Sequence, residues 1–403
     1  MTSKSDPVLR RALTLPWLVF YGVGVTVGAG VFALIGEVVR VSGDYAVLAF
    51  LVAGLVAAFT AFSYAVLAGA YPRAAGEAIY VKMSFGEMAG RIVGLGVVAI
   101  AITSSAVISL AFAGYLGALT GFHSSASVAG ILVLLGFVAW FGVRESVGVA
   151  SLITVLEVGT LAVVVMGGFP LLTTDESVAR LVTLPSDATT LLALFSGAFL
   201  AFFAFIGFED IENMAEETKD PHQAIPAAIL WTLGISVALY ILVAAVAISF
   251  PDRQALVDSA APLALLFERT TGYPAAPIAA MASIAMINGI LVQIVMASRV
   301  LYGMAREGMI PAALGRLDAK RATPALAIGL ITATILALAL FVPFLQLASL
   351  TSFLILLIFM MVNASLFIIG TRPESPEKLR RWRWWGVFGA FVSLGLAAME
   401  VFG

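Results

Sequence analysis

Eleven times along its 403 residues this chain runs through an apolar stretch of about 20 residues, the length that crosses a hydrocarbon core of roughly 30 Å. The stretches fall at about 15–39, 45–71, 92–119, 127–143, 149–172, 190–211, 225–250, 276–302, 324–342, 345–369 and 384–402. In lipid every backbone N–H and C=O must be satisfied within the protein, so segments of this kind become helices. Composition agrees: 61% of residues are hydrophobic and 11% charged, and a mean hydropathy of +1.06 lies well outside the soluble range. The expected fold is an all-α polytopic membrane protein of a single membrane domain, 1–403, with no soluble domain.

The first fourteen residues are short and polar and the first apolar stretch is long, which predicts a retained helix rather than a cleaved signal. The chain has no cysteine, so there is no disulfide framework and no thiolate metal site, and redox chemistry is not expected. Orientation follows from lysine and arginine. Placing the N-terminus in the cytoplasm puts all but four of the 22 Lys and Arg on that side, the exceptions being Arg40, Arg180, Arg253 and Arg269. That bias is a positive-inside signal. It predicts a multi-pass protein of the cell membrane with a cytoplasmic N-terminus and, after eleven spans, a C-terminus outside.

Two spans are interrupted in a corresponding way. The first contains GVGVTVGAGVF at 22–32, four glycines in eleven positions, and the sixth carries AFFAFIGFEDIENMAEE, where an apolar helix turns acidic after Gly207. They lie five spans apart, an odd number, so a repeat of that length would insert its two copies upside down relative to each other. A matched pair of glycine-interrupted helices points to the binding site of a secondary transporter. Glycine costs about 1 kcal/mol against alanine in a helix interior. Unwinding also exposes amides that suit a carboxylate and carbonyls that suit an ammonium. A zwitterion such as an amino acid fits both breaks at once. Close helix packing through small residues is the competing reading of the same glycines.

These segments resemble the amino acid, polyamine and organocation transporters. GVGVTVGAGVF is similar to that family's first-helix signature, and FFAFIGFEDIENMAEETKDPHQAIPAAI to its sixth helix and the following loop. GVRESVGVASLITVLEV resembles the start of its fifth helix and SRVLYGMAREGMIP the inner end of its eighth. The resemblance implies a five-plus-five inverted-repeat fold with broken first and sixth helices: one repeat at about 15–172, a second at about 190–369, and an extra C-terminal helix at about 384–402. It also implies alternating access around a midplane site. The substrate carboxylate would sit on Gly28, Ala29 and Gly30, with Thr26 and Val27 adjacent. The amine would meet carbonyls of Phe202, Phe203, Ala204 and Phe205 before Gly207, with Phe205 the candidate aromatic gate and Phe203 close behind. The family usually has twelve spans and this chain has eleven, a difference outside the repeat core.

Glu157 departs from the pattern. It lies eight residues into the fifth span, roughly 12 Å at 1.5 Å per residue, near the bilayer midplane. In proton-coupled relatives, by the same resemblance, the comparable position of TVLEV holds a lysine. An ionised carboxylate at this depth costs about 2.5 kcal/mol or more, so such groups face interior cavities and mark ion or proton pathways. Glu157 is the candidate proton carrier. A cationic substrate or Na⁺ at this residue, or a structural bond to a hydroxyl such as Thr26, are the alternatives, with sodium coupling the less expected.

In the sixth span Glu209, Glu212 and Glu216 fall at i, i+3 and i+7, one face of an α-helix. Glu209, closest to the break, is a candidate for gating or protonation, whereas Glu216 and Glu217 are expected to line the inner vestibule. Ser104, Ser105, Ser109, Asn288, Gln293 and Asn363 either line a cavity or bond between helices. His123 and His222 lie in loops on opposite sides of the membrane and cannot share a metal. The link 73–91 is expected to hold a short surface helix, and TRPESPEKLRRWRWW at 371–385 an interfacial anchor that contacts lipid. No cofactor, no enzyme active site and no nucleic-acid surface is expected. The function these features imply is proton-coupled uptake of amino acids or related amines. An exchanger or exporter, or a non-transporting sensor on the same scaffold, remain as alternatives.

Overall fold

The computed structural model describes residues 11–72, 76–122, 125–142, 147–181 and 183–402. His123, Arg73, Arg144 and the N-terminal Lys4 and Arg10, all used in the charge argument or the metal exclusion, lie outside them.

Each apolar stretch is helical. The first is a pair, α1 (Leu15–Val27) and α2 (Gly30–Ser42), followed by α3 (Ala46–Ala70). A short α4 (Gly76–Phe85) occupies the expected link and leads into the long α5 (Glu87–Thr120), then α6 (Ser125–Phe141) and α7 (Val147–Gly168). After α8 (Asp175–Leu181), Asp187 opens α9 (Ala188–Phe202): its side chain accepts the Thr190 N–H at 2.9 Å. That bond holds the Asp187 carboxyl below the usual carboxylate range. Beyond α9 come a 3-10 turn, Phe203–Phe205, and a 3-10 helix, Phe208–Glu217. The second half continues through α10 (Pro221–Ser249), the short α11 (Arg253–Asp258) and α12 (Pro262–Thr271), then α13 (Ala276–Arg306), α14 (Ala325–Phe341), α15 (Phe344–Gly370) and α16 (Glu377–Phe402). Among the described residues seven helical segments are long and apolar enough to cross a membrane, one of them running from Gly30 to Ala70 through α2 and α3, and α1, α6 and α14 are shorter apolar helices. The chain is therefore an all-α, multi-pass membrane protein.

The broken segments occupy the interior, with α1 against α10 and α7, α2 against α9, and α10 along α3. The chain just before α1 is tied to the far end of the sixth segment. Ala12 and Leu13 N–H donate to Glu217 C=O at 2.8 and 3.0 Å, and Lys219 N–H returns to Leu13 C=O at 2.8 Å.

Three of the four arginines that break the charge bias are neutralised by acids at their own end. Arg40 meets Glu37 at 3.0 Å and Asp258 at 3.5 Å, Arg253 pairs with Asp44, and Arg180 pairs with Glu176. The tryptophans of 371–385 divide. Trp385 donates its indole N–H to Phe59 C=O at 2.9 Å and stacks on that ring, and Trp382 lies edge-on to Phe62. These two dock α16 onto α3, and Trp384 alone faces outward.

The acidic stretch is wound as a 3-10 helix, which repeats every three residues rather than every 3.6. Phe208, Glu209, Ile211, Glu212 and Ala215 are buried in it, and Glu216, expected on the same face as Glu209, is exposed.

Candidate functional site

The first break is a short interruption of the helical ladder. Gly28 N–H still closes the last turn of α1 on Gly24 C=O at 3.1 Å, and the next helical bond, Ala33 to Ala29 at 3.0 Å, already belongs to α2. As at any helix N-terminus, the first-turn amides of α2 are not paired by carbonyls of α2 itself and lie at the positive end of its dipole.

In the second break α9 tightens through Phe203–Phe205, Ile206 is extended, and Gly207 adopts φ 125°, a left-handed conformation that side chains rarely allow. The two breaks interlock. A Cβ on Gly207 would meet the backbone of Val25 at 3.0 Å, and one on Gly30 would lie 2.8 Å from Cα of Ala204. The glycines thus serve both readings, interrupting the helices and letting the two interruptions touch.

Tyr240 of α10 fastens this contact. Its hydroxyl oxygen lies 2.7 Å from the carbonyl oxygen of Thr26 and 2.8 Å from that of Ala204, one acceptor from each break. The ring is fully buried between Phe50 and Phe205.

A cavity of about 60 Å³ opens beside the interlock. Thr26, Gly28, Ala29 and Gly30 line it from the first break, Phe203, Ile206 and Gly207 from the second, and Glu157 from α7. Ser104 of α5 and Asn288 and Gln293 of α13 complete its polar wall, with the Ser104 hydroxyl donating to Gln293 Oε1 at 2.5 Å. Val27, Phe202, Ala204 and Phe205 are buried behind this surface, and Phe205 packs toward α3 against Phe50. Phe203 is therefore the aromatic at the cavity itself. Asn363 lies elsewhere, donating to Thr60 Oγ1 at 2.8 Å between α15 and α3.

Glu157 is 3% exposed, and neither carboxyl oxygen has a hydrogen-bond partner. The hydroxyl of Thr26, 2% exposed, is equally without one, so no hydrogen bond joins the two. Glu209 is turned from the cavity, and its Oε2 accepts the Gly207 N–H at 2.9 Å. The carboxylate that the sixth segment does bring to the cavity is Asp210. Its Oδ1 has the Asn213 amide at 3.5 Å, and none of the ion pairs among the described residues involves Asp210 or Glu157.

Sequence reasoning missed Tyr240, Ile206 and the cavity face of Asp210. A tyrosine within an apolar helix carries no local signal of its acceptors. The position of Asp210 depends on the tight winding that follows the break.

A multi-pass helical protein in which two interrupted helices interlock beside a buried polar cavity has the architecture of a secondary transporter. The family model described as amino acid permease matches residues 13–402. The chain belongs to this family, within the amino acid, polyamine and organocation superfamily. It is similar to cationic amino acid transporter 7, chloroplastic, of Arabidopsis thaliana, 29% identical over 395 residues that cover 90% of this chain and 66% of that protein. It is also similar to the vacuolar cationic amino acid transporter 2 of the same plant, 31% identical over 92% of this chain and 61% of that protein. The branched-chain amino acid permease BcaP of Bacillus subtilis is 24% identical over 96% of this chain and 86% of its own length. The chain thus spans somewhat less than two thirds of the length of these two plant relatives.

Proposed function

We propose that this protein is a proton-coupled secondary transporter that takes amino acids up across the cell membrane by alternating access, with its N-terminus in the cytoplasm and its C-terminus outside. Residues of about 15–172 and 190–369 form two inverted repeats, and about 384–402 an additional helix. The observation that carries the reading is Glu157, buried at the cavity of the two breaks with both carboxyl oxygens unpartnered. A group so placed is stable when protonated. When ionised it needs a cation or water, so loading and unloading it are tied to which side the cavity faces.

The substrate carboxylate sits on the backbone at Gly28, Ala29 and Gly30, with Ala29 and Gly30 supplying the amides because Gly28 N–H is held by Gly24 C=O, and the ammonium takes carbonyls of the second break beside Phe203. The cavity supports alternating access by its size. At roughly 10–15 Å³ per water it holds only a few waters, so the walls must part to admit an amino acid. Of the two substrate types named among the relatives, the cationic one is favoured here, because Glu157 and Asp210 make the wall acidic and an aliphatic side chain would pair with neither.

Purified protein in liposomes is expected to accumulate labelled lysine or arginine when the outside is acidified, and Glu157→Gln to lose the response to the proton gradient. Uptake that remains fully pH-driven in Glu157→Gln would exclude proton carriage by this residue. Flux only against internal substrate would favour an exchanger, and binding without flux a sensor.

A further inference from the structure

Away from the cavity a second group of buried acids joins the 3-10 helix Phe208–Glu217 to α4. Glu212 is fully buried, and its Oε1 accepts the backbone N–H of Glu77 at 2.9 Å, capping the first turn of α4. The approach is so close that a Cβ on Gly76 would run into the Glu212 carboxylate, so only glycine fits the position before Glu77. Glu212 Oε2 has no hydrogen-bond partner, although it is shielded from water. The Glu77 side chain, 7% exposed, interacts with it, and burial pushes the Glu77 carboxyl up from the usual carboxylate range.

The ionisable groups facing this pair are Tyr64 of α3, Tyr80 of α4, and Glu209 and Asp210 of the 3-10 helix itself. All are acids, and no cation lies within ion-pair distance of the pair among the described residues. Two carboxylates in contact and out of water cannot both be ionised. The pair therefore holds one proton between its two carboxyl groups, with the α4 amide bonded to Glu212 Oε1.

We propose that Glu77 and Glu212 form a proton-binding site, distinct from Glu157, and that the proton they share holds the segment Phe208–Glu217 against α4 and keeps that side of the cavity closed. Asp210 of this segment lines the cavity, so a shift of the segment moves the cavity wall. Gly207, in its left-handed conformation, is the hinge at the near end. Separation of the segment from α4 hydrates both carboxyl groups and releases the proton. Loss of the proton in the closed state leaves two buried negative charges side by side and drives the segment away. On the orientation proposed above this side is cytoplasmic, so the more alkaline cell interior would favour opening there. The inference does not depend on which substrate is carried.

Because the chain has no native cysteine, a single reporter introduced by Met296→Cys, at a position that lines the cavity, reads its accessibility. The full-length protein is labelled with a maleimide across a pH series, and each rate is divided by that of the denatured chain at the same pH to remove titration of the thiol. Accessibility is expected to rise by up to about tenfold per pH unit, the slope for loss of one proton, between the titration of the separated, hydrated pair and that of the closed pair. It should be flat in Glu77→Gln and in Glu212→Gln, and the rise should persist in Glu157→Gln. A flat profile in the protein with both acids present overturns the proposal. So does a rise that survives both Glu77→Gln and Glu212→Gln, or one that only Glu157→Gln removes. If one of the two glutamine variants does not fold, the other and the parent protein decide the outcome.

Discussion

Gly30 and Ala204 touch across the two helix breaks so closely that a Cβ on Gly30 would lie 2.8 Å from Cα of Ala204. The obstacle is backbone, which cannot swing aside as a side chain can. Gly30→Ala is therefore expected to force the breaks apart, at the 1–3 kcal/mol typical of about one methyl group too many in a packed core. Transport should be lost while membrane insertion, judged by protein level and extraction, is retained. Gly130, whose Cβ position is open, is the matched control: Gly130→Ala should transport normally. Normal transport by Gly30→Ala would show that the contact is not needed.

Much of this arrangement is legible in the sequence because glycine is a backbone signal. Four glycines in eleven residues of a membrane span say where the helix stops, and GFED says the same of the sixth span. Glu157 is legible for a related reason, since a lone carboxylate within an apolar helix has few places to go. What is not legible depends on rotation about the helix axis. The expectation that Glu209, Glu212 and Glu216 share a face uses the α-helical period, and in the 3-10 helix Glu209 and Glu212 are buried while Glu216 is exposed. The separate 3-10 turn Phe203–Phe205 packs Phe205 against Phe50 and leaves Phe203 at the cavity. The contact of Glu212 with α4 joins positions 135 apart, and no local pattern announces it.

Tyr240 is the residue whose loss should weaken stability and binding together. Its hydroxyl has a single proton for two carbonyls, at 2.7 and 2.8 Å, and it is buried. Tyr240→Phe keeps the ring against Phe50 and Phe205 and removes only the donor. The expected cost is about 1–3 kcal/mol for buried acceptors left unsatisfied, read as a lower melting temperature in detergent. Because the acceptors belong to both breaks, substrate affinity should fall as well. An unchanged melting temperature with unchanged uptake would mean that water replaces the hydroxyl at no cost.

The docking of α16 provides a test of packing against hydrogen bonding in lipid. Asn363 bonds to Thr60 of α3 at 2.8 Å, and a Cβ on Gly389 of α16 would collide with the Asn363 side chain. Hydrogen bonds between membrane helices average about 0.6 kcal/mol, so Asn363→Ala should lower the melting temperature only slightly. Gly389→Leu drives bulk into the contact and should loosen α16, with a larger loss of stability. Trp385 should then become more quenchable, because its indole N–H is held on Phe59 by the same packing. A larger effect of Asn363→Ala than of Gly389→Leu would reverse the ranking.

Asp210 carries the prediction about substrate charge. It and Glu157 are the carboxylates that line the cavity, and the Asn213 amide at 3.5 Å is a weak neutral contact that supplies no counter-ion. A side-chain ammonium or guanidinium reaching Asp210 would form a charge-assisted hydrogen bond of about 1.5–3 kcal/mol, or about tenfold to a hundredfold in affinity. Asp210→Asn keeps the shape and removes the charge. It is expected to weaken lysine and arginine binding by that factor while leaving any binding of leucine unchanged or improved, as measured by competition against a labelled substrate in the same liposomes. Glu157→Gln, by contrast, should alter the dependence on the proton gradient. Equal loss for charged and neutral substrates in Asp210→Asn would assign this carboxylate to the shape of the break instead of to the choice of substrate.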